Sequence, residues 1–301
     1  MTLNHLYSSV LRGQWMISLV DVESSQAILK DILAGGSKDI DTEMLSDRKP
    51  LKIQMVDKQM KSSYTKEETP AETVAVIPMH GTMLKYGSYC AYGTTEIADK
   101  IYEAAANENV VGIILDIDSG GGCVDAIAPL TAAIRSVQAQ GKPIVALCDL
   151  CASAAYFVAC ACDEVIASNT ISAEFGSIGV MMSFMDYSKY YADLGIKEHV
   201  IYSNLSTYKN AAFEAAKNGD YNLIKSEELD PLARRFQDSV KECRGSKLDL
   251  AAEGLLNGRM FYAEDAKKVG LIDSIKSYKQ TVDDIRQASR DRSIQAYYTE
   301  G

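Results

Sequence analysis

A serine lies where the sequence changes from a strand pattern to a helix pattern. Residues 143–148 form a short apolar run with the β-branched bias of a buried strand. After a break at Asp149 and Leu150, residues 151–162 are small, apolar and strongly helix-favouring. Ser153 opens this helix pattern, where convergent backbone N–H groups can stabilise a developing negative charge. Ser153 could therefore be a nucleophile, although a serine at a helix start is more often only an N-cap.

A serine nucleophile needs a base, because its neutral hydroxyl reacts weakly. The sequence favours structural or surface roles for the three histidines, since none lies in a loop typical of a catalytic residue. A Ser-His-Asp triad nevertheless stays open, because its members come together in space rather than in sequence order. The alternative base is a lysine, whose free amine can accept the serine proton when burial disfavours the charged form. Lys209 lies in a polar loop that enters an apolar patch, although a lysine is usually a solvated surface charge. The histidines are His5, His80 and His199.

An acyl-transfer serine also needs hydrogen-bond donors for the oxyanion. A triple glycine, residues 120–122, follows the strand pattern at 110–117 and could bring backbone N–H groups close to a substrate, because no Cβ intervenes. The carboxyl end of a parallel strand is where α/β sheets place ligands. Neither of the common phosphate-binding glycine motifs fits this run.

Strand and helix patterns alternate along the chain around these residues. This rhythm predicts right-handed βαβ units and a parallel sheet, hence an α/β fold. A further strand candidate lies at 199–202, and residues 257–273 indicate a loop, a short helix ending near Gly270 and a final strand. The strand patterns are at 73–78, 110–117, 143–148 and 164–168, and the helix patterns at 94–107, 124–139 and 221–243.

Composition narrows the class of protein. The chain has 301 residues with 47% hydrophobic and 24% charged residues, which is typical of a globular protein with a sizeable core. A formal net charge of −10 argues against a nucleic-acid partner. The sequence has no apolar run of the ~20 residues that a membrane span needs and no secretory signal pattern, so we expect a cytoplasmic protein without a membrane anchor.

The cysteines favour buried thiols over disulfides or a metal site. There are seven of them, an odd number, and most lie in apolar segments, which indicates a reducing compartment. Cys148 and Cys151 form a C-x-x-C motif, but no second pair follows at a spacing typical of zinc sites. We therefore expect no metal and no other cofactor.

The chain divides into three predicted parts. Residues 1–70 are an N-terminal helical arm followed by a polar linker, because helix-like apolar spacing up to about residue 34 gives way to a charge-rich stretch. Residues 71–285 are the main α/β domain. Residues 286–301 are a polar C-terminal tail that we expect to fray.

Five motifs in order resemble peptidase family S49, the signal peptide peptidase A-like serine proteases of the ClpP/crotonase fold. The resemblance extends from about Val74 to Asp273. It implies a fold built from repeated ββα and βαβ units. The motifs are IDSGGGCVDA (117–126), CASAAYFVACACDEVIAS (151–168), FGSIGV (175–180), STYKNA (206–211) and NGRMFYAEDAKKVGLID (257–273).

The resemblance also implies roles for individual residues. Ser153 is the expected nucleophile, Lys209 the general base, and the backbone N–H groups of Gly121 or Gly122 with Ala154 the oxyanion hole. Ser177 and Tyr208 lie in matching motifs without an assigned role. The chain departs from the family in having Ala-Ala-Tyr after the serine where Gly-Gly-Tyr is usual, which narrows the pocket without removing a catalytic group.

The implied activity is that of a Ser-Lys endopeptidase acting on protein or peptide substrates as a ring-like or stacked homo-oligomer. Without a membrane anchor, the chain is similar to phage and prophage head-maturation proteases, which cleave scaffold and capsid proteins inside the procapsid in the host cytoplasm. Three alternatives stay open: a cellular cytosolic protease of the signal-peptide-peptidase type, a catalytically silent assembly protein of the same fold, and a crotonase-type acyl-CoA enzyme, which would not need the Ser-Lys pair.

Overall fold

The computed structural model of the protein describes residues 14–16, 50–64, 69–87, 92–184 and 186–300. Most of the predicted N-terminal arm lies outside these residues. The strands are β1 (Gln14–Met16), β2 (Gln54–Val56), β3 (Ser62–Ser63), β4 (Thr73–His80), β5 (Val110–Ser119), β6 (Gly122–Cys123), β7 (Ile144–Ala152), β8 (Glu164–Ala167), β9 (Glu174–Gly176), β10 (Met181–Met182), β11 (Met260–Tyr262) and β12 (Ser274–Ile275). The helices are α1 (Thr94–Ala106), α2 (Ile127–Ala139), α3 (Ala154–Cys160), α4 (Ser188–Asp193), α5 (Ala211–Lys217), α6 (Asn222–Ile224), α7 (Asp230–Arg244), α8 (Ala263–Lys268) and α9 (Tyr278–Glu300).

A mixed sheet forms the centre of the molecule. Nine of the described strands form one sheet: seven follow the order β11-β9-β7-β5-β4-β2-β3, β8 pairs with β7, and β12 pairs with β8. Strands β4, β5, β7 and β8 pair in parallel, and helices α1, α2 and α3 connect them in turn. The predicted α/β class with a parallel sheet is confirmed.

Strand β7 changes partners halfway along its length. Its first half pairs with β8 from Val145 to Cys148, and its second half pairs with β9 from Leu150 to Ala152. The register with β5 also shifts here, because Ile117 pairs with Cys148 whereas Ser119 pairs with Cys151. The predicted break at Asp149 and Leu150 is thus a bulge where the strand forks, rather than the end of the strand. The strand continues to the residue before Ser153.

Apolar side chains cover both faces of the sheet, which explains the continuous hydrophobic runs in its strands. One face packs against α1, α2 and α3 in the main hydrophobic cluster, and the other face packs against α9. Side chains alternate between the two clusters: Ala75 and Ile77 belong to the first, Val74 and Val76 to the second. The result is a three-layer α/β/α arrangement in which the sheet cannot slide without exposing apolar surface.

The C-terminal residues differ from the expected polar tail. Helix α9 runs from Tyr278 to Glu300 and crosses the predicted boundary at 285/286. Val282 and Ile285 are buried against the sheet. Arg286 is also buried, and its guanidinium donates hydrogen bonds to the carbonyls of Glu72 and Val56, which satisfy the buried charge. None of the helices within the described ranges is long and apolar enough to cross a membrane.

Three other predictions were wrong in detail. Residues 199–202 form no strand and lie in irregular, mostly exposed backbone. The helix predicted at 221–243 is divided, because a π-helical stretch, Lys225–Leu229, separates α6 from α7. Residues 14–16, predicted within a helical arm, form strand β1.

An ion-pair cluster at Asp273 holds the end of α7 against the sheet. Arg244 binds the Asp273 carboxylate through both terminal nitrogens, at 2.7 and 3.0 Å, and its Nε donates to the Gly270 carbonyl at 2.9 Å. Lys247 Nζ and the Val165 backbone N–H also donate to Asp273, at 2.6 and 2.8 Å. Burial opposes ionisation of Asp273, but these hydrogen bonds prevail and lower its pKa to about 2.

We expect the Asp273→Asn substitution to lower the free energy of unfolding by about 3 kcal/mol, because the Arg244 charge would remain buried without its partner. The Arg244 side chain is only 4% exposed. Urea unfolding at pH 7 measures the change. Asp265→Asn is the matched control, because its partner Lys268 is exposed, and it should cost less than about 1 kcal/mol. Equal effects would contradict the importance of the buried pair.

The same substitution should have a pH-dependent effect. Since the folded-state pKa of Asp273 is lowered to about 2, its contribution to stability is complete above the unfolded pKa, about 4, and is lost as the pH falls towards 2. The difference between wild type and Asp273→Asn should therefore shrink below pH 4. A difference that stays constant down to pH 2 would contradict this assignment.

Candidate active site

Ser153 lies in a strained turn between β7 and α3. Its φ of 54° and ψ of −119° are rare for a residue with a side chain, and the residue is only 1% exposed. The Ser153 N–H donates to the Gly176 carbonyl at 2.8 Å, and the Ser153 carbonyl accepts from the Phe157 N–H at 3.0 Å. These bonds fix a strand-to-helix turn of the kind that presents a nucleophile. Strain held by its surroundings is a feature of functional sites.

The helix that begins after Ser153 supplies backbone donors. Its first N–H groups, beginning with Ala154, have no acceptor within the helix, because an α-helix pairs its N–H groups only from the second turn onwards. Ala154 is fully buried beside Ser153. Its N–H can therefore point at an oxygen bound next to the serine hydroxyl.

The glycine run after β5 is held rigidly beside this turn. Ser119 Oγ donates to the Gly81 carbonyl at 2.6 Å and accepts from the Gly121 N–H at 3.2 Å. Met83 brackets the run: its N–H donates to the Gly121 carbonyl at 2.8 Å, and its carbonyl accepts from Cys123 at 2.9 Å. Because the Gly121 N–H donates to Ser119, Gly122 is the glycine whose N–H we expect to be available to a substrate.

Both glycines are required by close backbone approach. A Cβ on Gly121 would lie 2.1 Å from the Met16 carbonyl oxygen and 3.0 Å from the Ala154 nitrogen, and one on Gly122 would lie 2.0 Å from the Met83 carbonyl oxygen. Gly121 also has a φ of 106°. The structure thus brings Gly121, Gly122, Ser153 and Ala154 together at the carboxyl ends of β5 and β7, where α/β sheets place their sites.

Strand β1 lies beside the glycine run. It is the central strand of a three-stranded sheet, antiparallel to β6 on one side and to β10 on the other. Met16 lies opposite Gly122, and Trp15 lies opposite Cys123 and Met181. Sequence patterns do not predict this strand, because three residues are too few for a strand pattern. Nor do they predict the roles of Ser119, Met83 and Gly176, which depend on contacts with residues distant in sequence.

Lys209 lies on an exposed segment of the chain. The Lys209 backbone N–H donates to the Ser206 carbonyl at 3.1 Å. No hydrogen bond joins the Lys209 side chain to Ser153 among the described residues. Among the described residues, none donates to or accepts from the Ser153 hydroxyl. Within the single chain, the expected base is thus exposed and the expected nucleophile is buried.

The segment that carries Lys209 is unusually exposed. Every residue from 186 to 201 is exposed, and Ile201 and Leu205 are 90% and 96% exposed. Exposed apolar surface of this extent marks a contact with another molecule. The large apolar side chains exposed here are Tyr187, Tyr190, Tyr191, Leu194, Ile196, Val200, Ile201, Leu205 and Tyr208.

Other nucleophiles and bases fit the site less well. Burial raises the pKa of the Cys148, Cys160 and Cys162 thiols, which keeps them protonated and unreactive. His80 is half-exposed and its pKa is raised by a 3.1 Å hydrogen bond to Asp116. Neither histidine in the described ranges, His80 or His199, hydrogen-bonds to Ser153. Within those ranges no group of three metal-binding side chains is present.

Known proteins match much of this chain. The model of peptidase family S49 matches residues 136–291. The head-tail preconnector protein GP5 of Enterobacteria phage P21 is 31% identical over 67% of this chain and 40% of its own length. The capsid assembly protease C of Escherichia phage lambda is 25% identical over 71% of this chain and 49% of its own length. The chain thus spans less than half the length of either relative.

Part of the chain also matches a solved structure. The 1510-N membrane-bound stomatin-specific protease aligns with a TM-score of 0.43 and 15% identity, over 69% of this chain and 82% of that chain.

We expect Ser153→Gly to be more stable than Ser153→Ala by about 1 kcal/mol, because glycine accepts the positive φ and alanine keeps the Cβ that strains it. Both variants lack the hydroxyl, so the comparison isolates the backbone strain. Thermal or urea unfolding of the two variants measures the difference. An alanine variant as stable as the glycine variant would mean that the turn holds no strain.

Proposed function

This chain belongs to peptidase family S49, and we propose that it is a serine endopeptidase with Ser153 as nucleophile and Lys209 as general base. The observation that carries the proposal is the strained turn at Ser153, held against the glycine run and followed by the Ala154 N–H. A buried hydroxyl next to two backbone donors suits acyl transfer. A cysteine mechanism is less suited, since burial raises the pKa of the Cys148, Cys160 and Cys162 thiols.

In the proposed reaction, the Ser153 hydroxyl attacks the carbonyl carbon of the scissile peptide bond while the Lys209 amine accepts its proton. The N–H groups of Gly122 and Ala154 stabilise the oxyanion of the tetrahedral intermediate. Lys209 then protonates the leaving amine, and a water molecule hydrolyses the acyl-enzyme. All the electrostatic stabilisation comes from fixed backbone, so it requires no rearrangement during the reaction.

We further propose that a neighbouring copy of the chain supplies Lys209. The exposed apolar segment at 186–208 supports an intersubunit contact, because such surface is costly to leave in water. Docking of this segment over the cleft of a second copy would bring the lysine to the serine. It would also remove the amine from water, which favours its neutral, proton-accepting form. The predicted homo-oligomer is then needed for catalysis.

The substrate we propose is a scaffold or capsid protein cleaved during phage head maturation. Support comes from the similarity to a capsid assembly protease and a head-tail preconnector protein of two phages. A catalytically silent assembly protein is the second candidate, because no hydrogen bond joins Ser153 to Lys209 within the described chain. Activity measurements separate the two.

Ser153→Ala and Lys209→Ala should each lower the cleavage of unfolded casein by at least about 1,000-fold, because each removes a group that acts in the chemical step. Mass spectrometry of the fragments measures cleavage and gives the residue preference. Lys217→Ala is the matched control, because Lys217 lies eight residues after Lys209, on α5, and forms an ion pair with Glu214. Equal cleavage by all variants would contradict the mechanism, and no cleavage by wild type in its assembled form would favour the silent assembly protein.

Mixing the two inactive variants should restore activity. If the lysine comes from a neighbour, an equal mixture that reassembles at random should regain about a quarter of wild-type activity, since a site needs an intact serine and an intact neighbouring lysine. Ser153→Ala mixed with the Ser153→Ala/Lys209→Ala double variant should regain none. Mixed assemblies without activity would show that the lysine acts within its own chain.

A further inference from the structure

The residue before Lys209 is held by a hydrogen bond that the proposed mechanism does not use. The Tyr208 hydroxyl donates to the Glu227 carboxylate, which lies 19 positions further along the chain in the π-helical stretch. This bond raises the pKa of Tyr208, so the phenol stays protonated and remains a donor. Among the described residues, Glu227 forms no ion pair with Lys209 itself. The contact therefore reaches the lysine through the backbone that joins residues 208 and 209.

The residue after Lys209 is held as well. Asn210 has a φ of 61°, and its side-chain amide donates to the Tyr202 hydroxyl at 3.3 Å. The same hydroxyl donates to the Glu214 carboxylate on α5 at 3.2 Å. Because hydrogen bonds hold the residues on both sides, the backbone of Lys209 has little conformational freedom, although the residue is exposed.

The π-helical stretch gives Glu227 its position. Its hydrogen bond runs from the Asp230 N–H to the Lys225 carbonyl, so the turn contains one residue more than a turn of α-helix. Such an insertion rotates the side chains before it by about 100° relative to those after it. Ile224, before it, is buried with α5, and Phe236, after it, is buried in the main cluster. Both helices thus pack while Glu227 reaches the loop that carries the lysine, and π-helical turns are frequent at functional sites.

The Tyr208–Glu227 bond is exposed to water in the single chain. Tyr208 is 65% exposed, and an exposed hydrogen bond contributes little because water competes for both groups. In the proposed assembly, the segment that carries Lys209 docks on a second copy and this water is removed. The bond is then stronger, because it lies in surroundings of lower dielectric constant. It would fix the lysine at the moment when the lysine reaches the serine.

We propose that Glu227 is a positioning residue of the protease, which acts through the Tyr208 hydroxyl to hold Lys209 in place for proton transfer. This inference rests on the proposed function, because it takes Lys209 as the general base. It deepens that function by giving a role to Tyr208 and to the π-helical stretch. In this role, neither Tyr208 nor Glu227 takes part in a chemical step.

Loss of the Tyr208–Glu227 bond should lower kcat rather than raise KM. A general base must lie within hydrogen-bond reach of the proton that it accepts, and a small displacement of a reacting group lowers the rate strongly. The bond makes no contribution to the binding of substrate in the proposed mechanism. A change in kcat at constant KM is therefore the expected signature.

The test is the kinetics of casein cleavage by the assembled protease. Tyr208→Phe and Glu227→Ala should each lower kcat by about 10-fold and leave KM within about twofold of wild type. The double variant should lose no more than either single variant, because both remove the same bond. Tyr221→Phe is the matched control, since Tyr221 is an exposed tyrosine directly before α6 whose hydroxyl makes no hydrogen bond among the described residues. It should leave kcat unchanged.

Glu227→Gln separates positioning from a charge effect. The glutamine oxygen still accepts the Tyr208 hydroxyl, so this variant should keep at least about half of the wild-type kcat. If Glu227 acted on the lysine through its charge, the glutamine variant would be as slow as Glu227→Ala, and that result would overturn the inference.

Mixed assemblies show in which chain the bond is needed. Ser153→Ala/Glu227→Ala mixed with Lys209→Ala should have about a tenth of the activity of Ser153→Ala mixed with Lys209→Ala, because the chain that supplies the lysine then lacks Glu227. Lys209→Ala/Glu227→Ala mixed with Ser153→Ala should lose no activity relative to the same reference. Equal loss in both mixtures would overturn the inference, since it would mark a general effect on folding or assembly.

The single variants also separate this inference from the proposed function. Inactive Lys209→Ala together with fully active Tyr208→Phe and Glu227→Ala would overturn the inference and leave the proposed function standing. Active Lys209→Ala would overturn both.

Discussion

The parallel pairing of β7 with β5 and β9 is the constraint on which the site depends. It places the carboxyl ends of three strands side by side, so that Ser153, the glycine run and Gly176 meet. The sheet is packed on both faces, and its strands therefore cannot shift to relax the turn. The hydrogen bond from Ser153 to the Gly176 carbonyl then holds a backbone conformation that the residue would not adopt alone.

The chemistry available at this position comes mostly from backbone. The donors beside Ser153 are peptide N–H groups, and two glycines are needed because other chain segments approach to within van der Waals distance. The buried residues that flank Ser153, Ala152 and Ala154, are apolar. A pocket of this kind stabilises an anion through geometry alone, and it needs only one ionisable group to move a proton. In the proposed mechanism that group comes from the exposed segment rather than from the packed sheet.

Two features of the single chain bear on when it can act. The lysine-bearing segment has many exposed apolar side chains, and β1 pairs between β6 and β10 beside the glycine run. In the proposed mechanism, assembly with a second copy supplies the base, so activity would follow assembly.

The sequence alone determined the α/β class, most of the central strands and helices, and the local setting of Ser153. These follow from periodicity and propensity over short windows, since a buried strand and a following small-residue helix are encoded by adjacent residues. The motif order also indicated the family. Even the irregularity at Asp149 and Leu150 was visible as a break in the strand pattern, although not as a bulge.

Only the tertiary structure decided the fork of β7, the hydrogen bond from Ser153 to Gly176, the burial of α9, the pairing of β1 beside the glycine run and the exposure of Lys209. Each depends on contacts between residues far apart in the chain, which local patterns do not record. A three-residue strand such as β1 has almost no signal of its own and forms because β6 and β10 offer unpaired edges. The distance between a serine and a lysine is likewise set by packing, not by their separation in sequence.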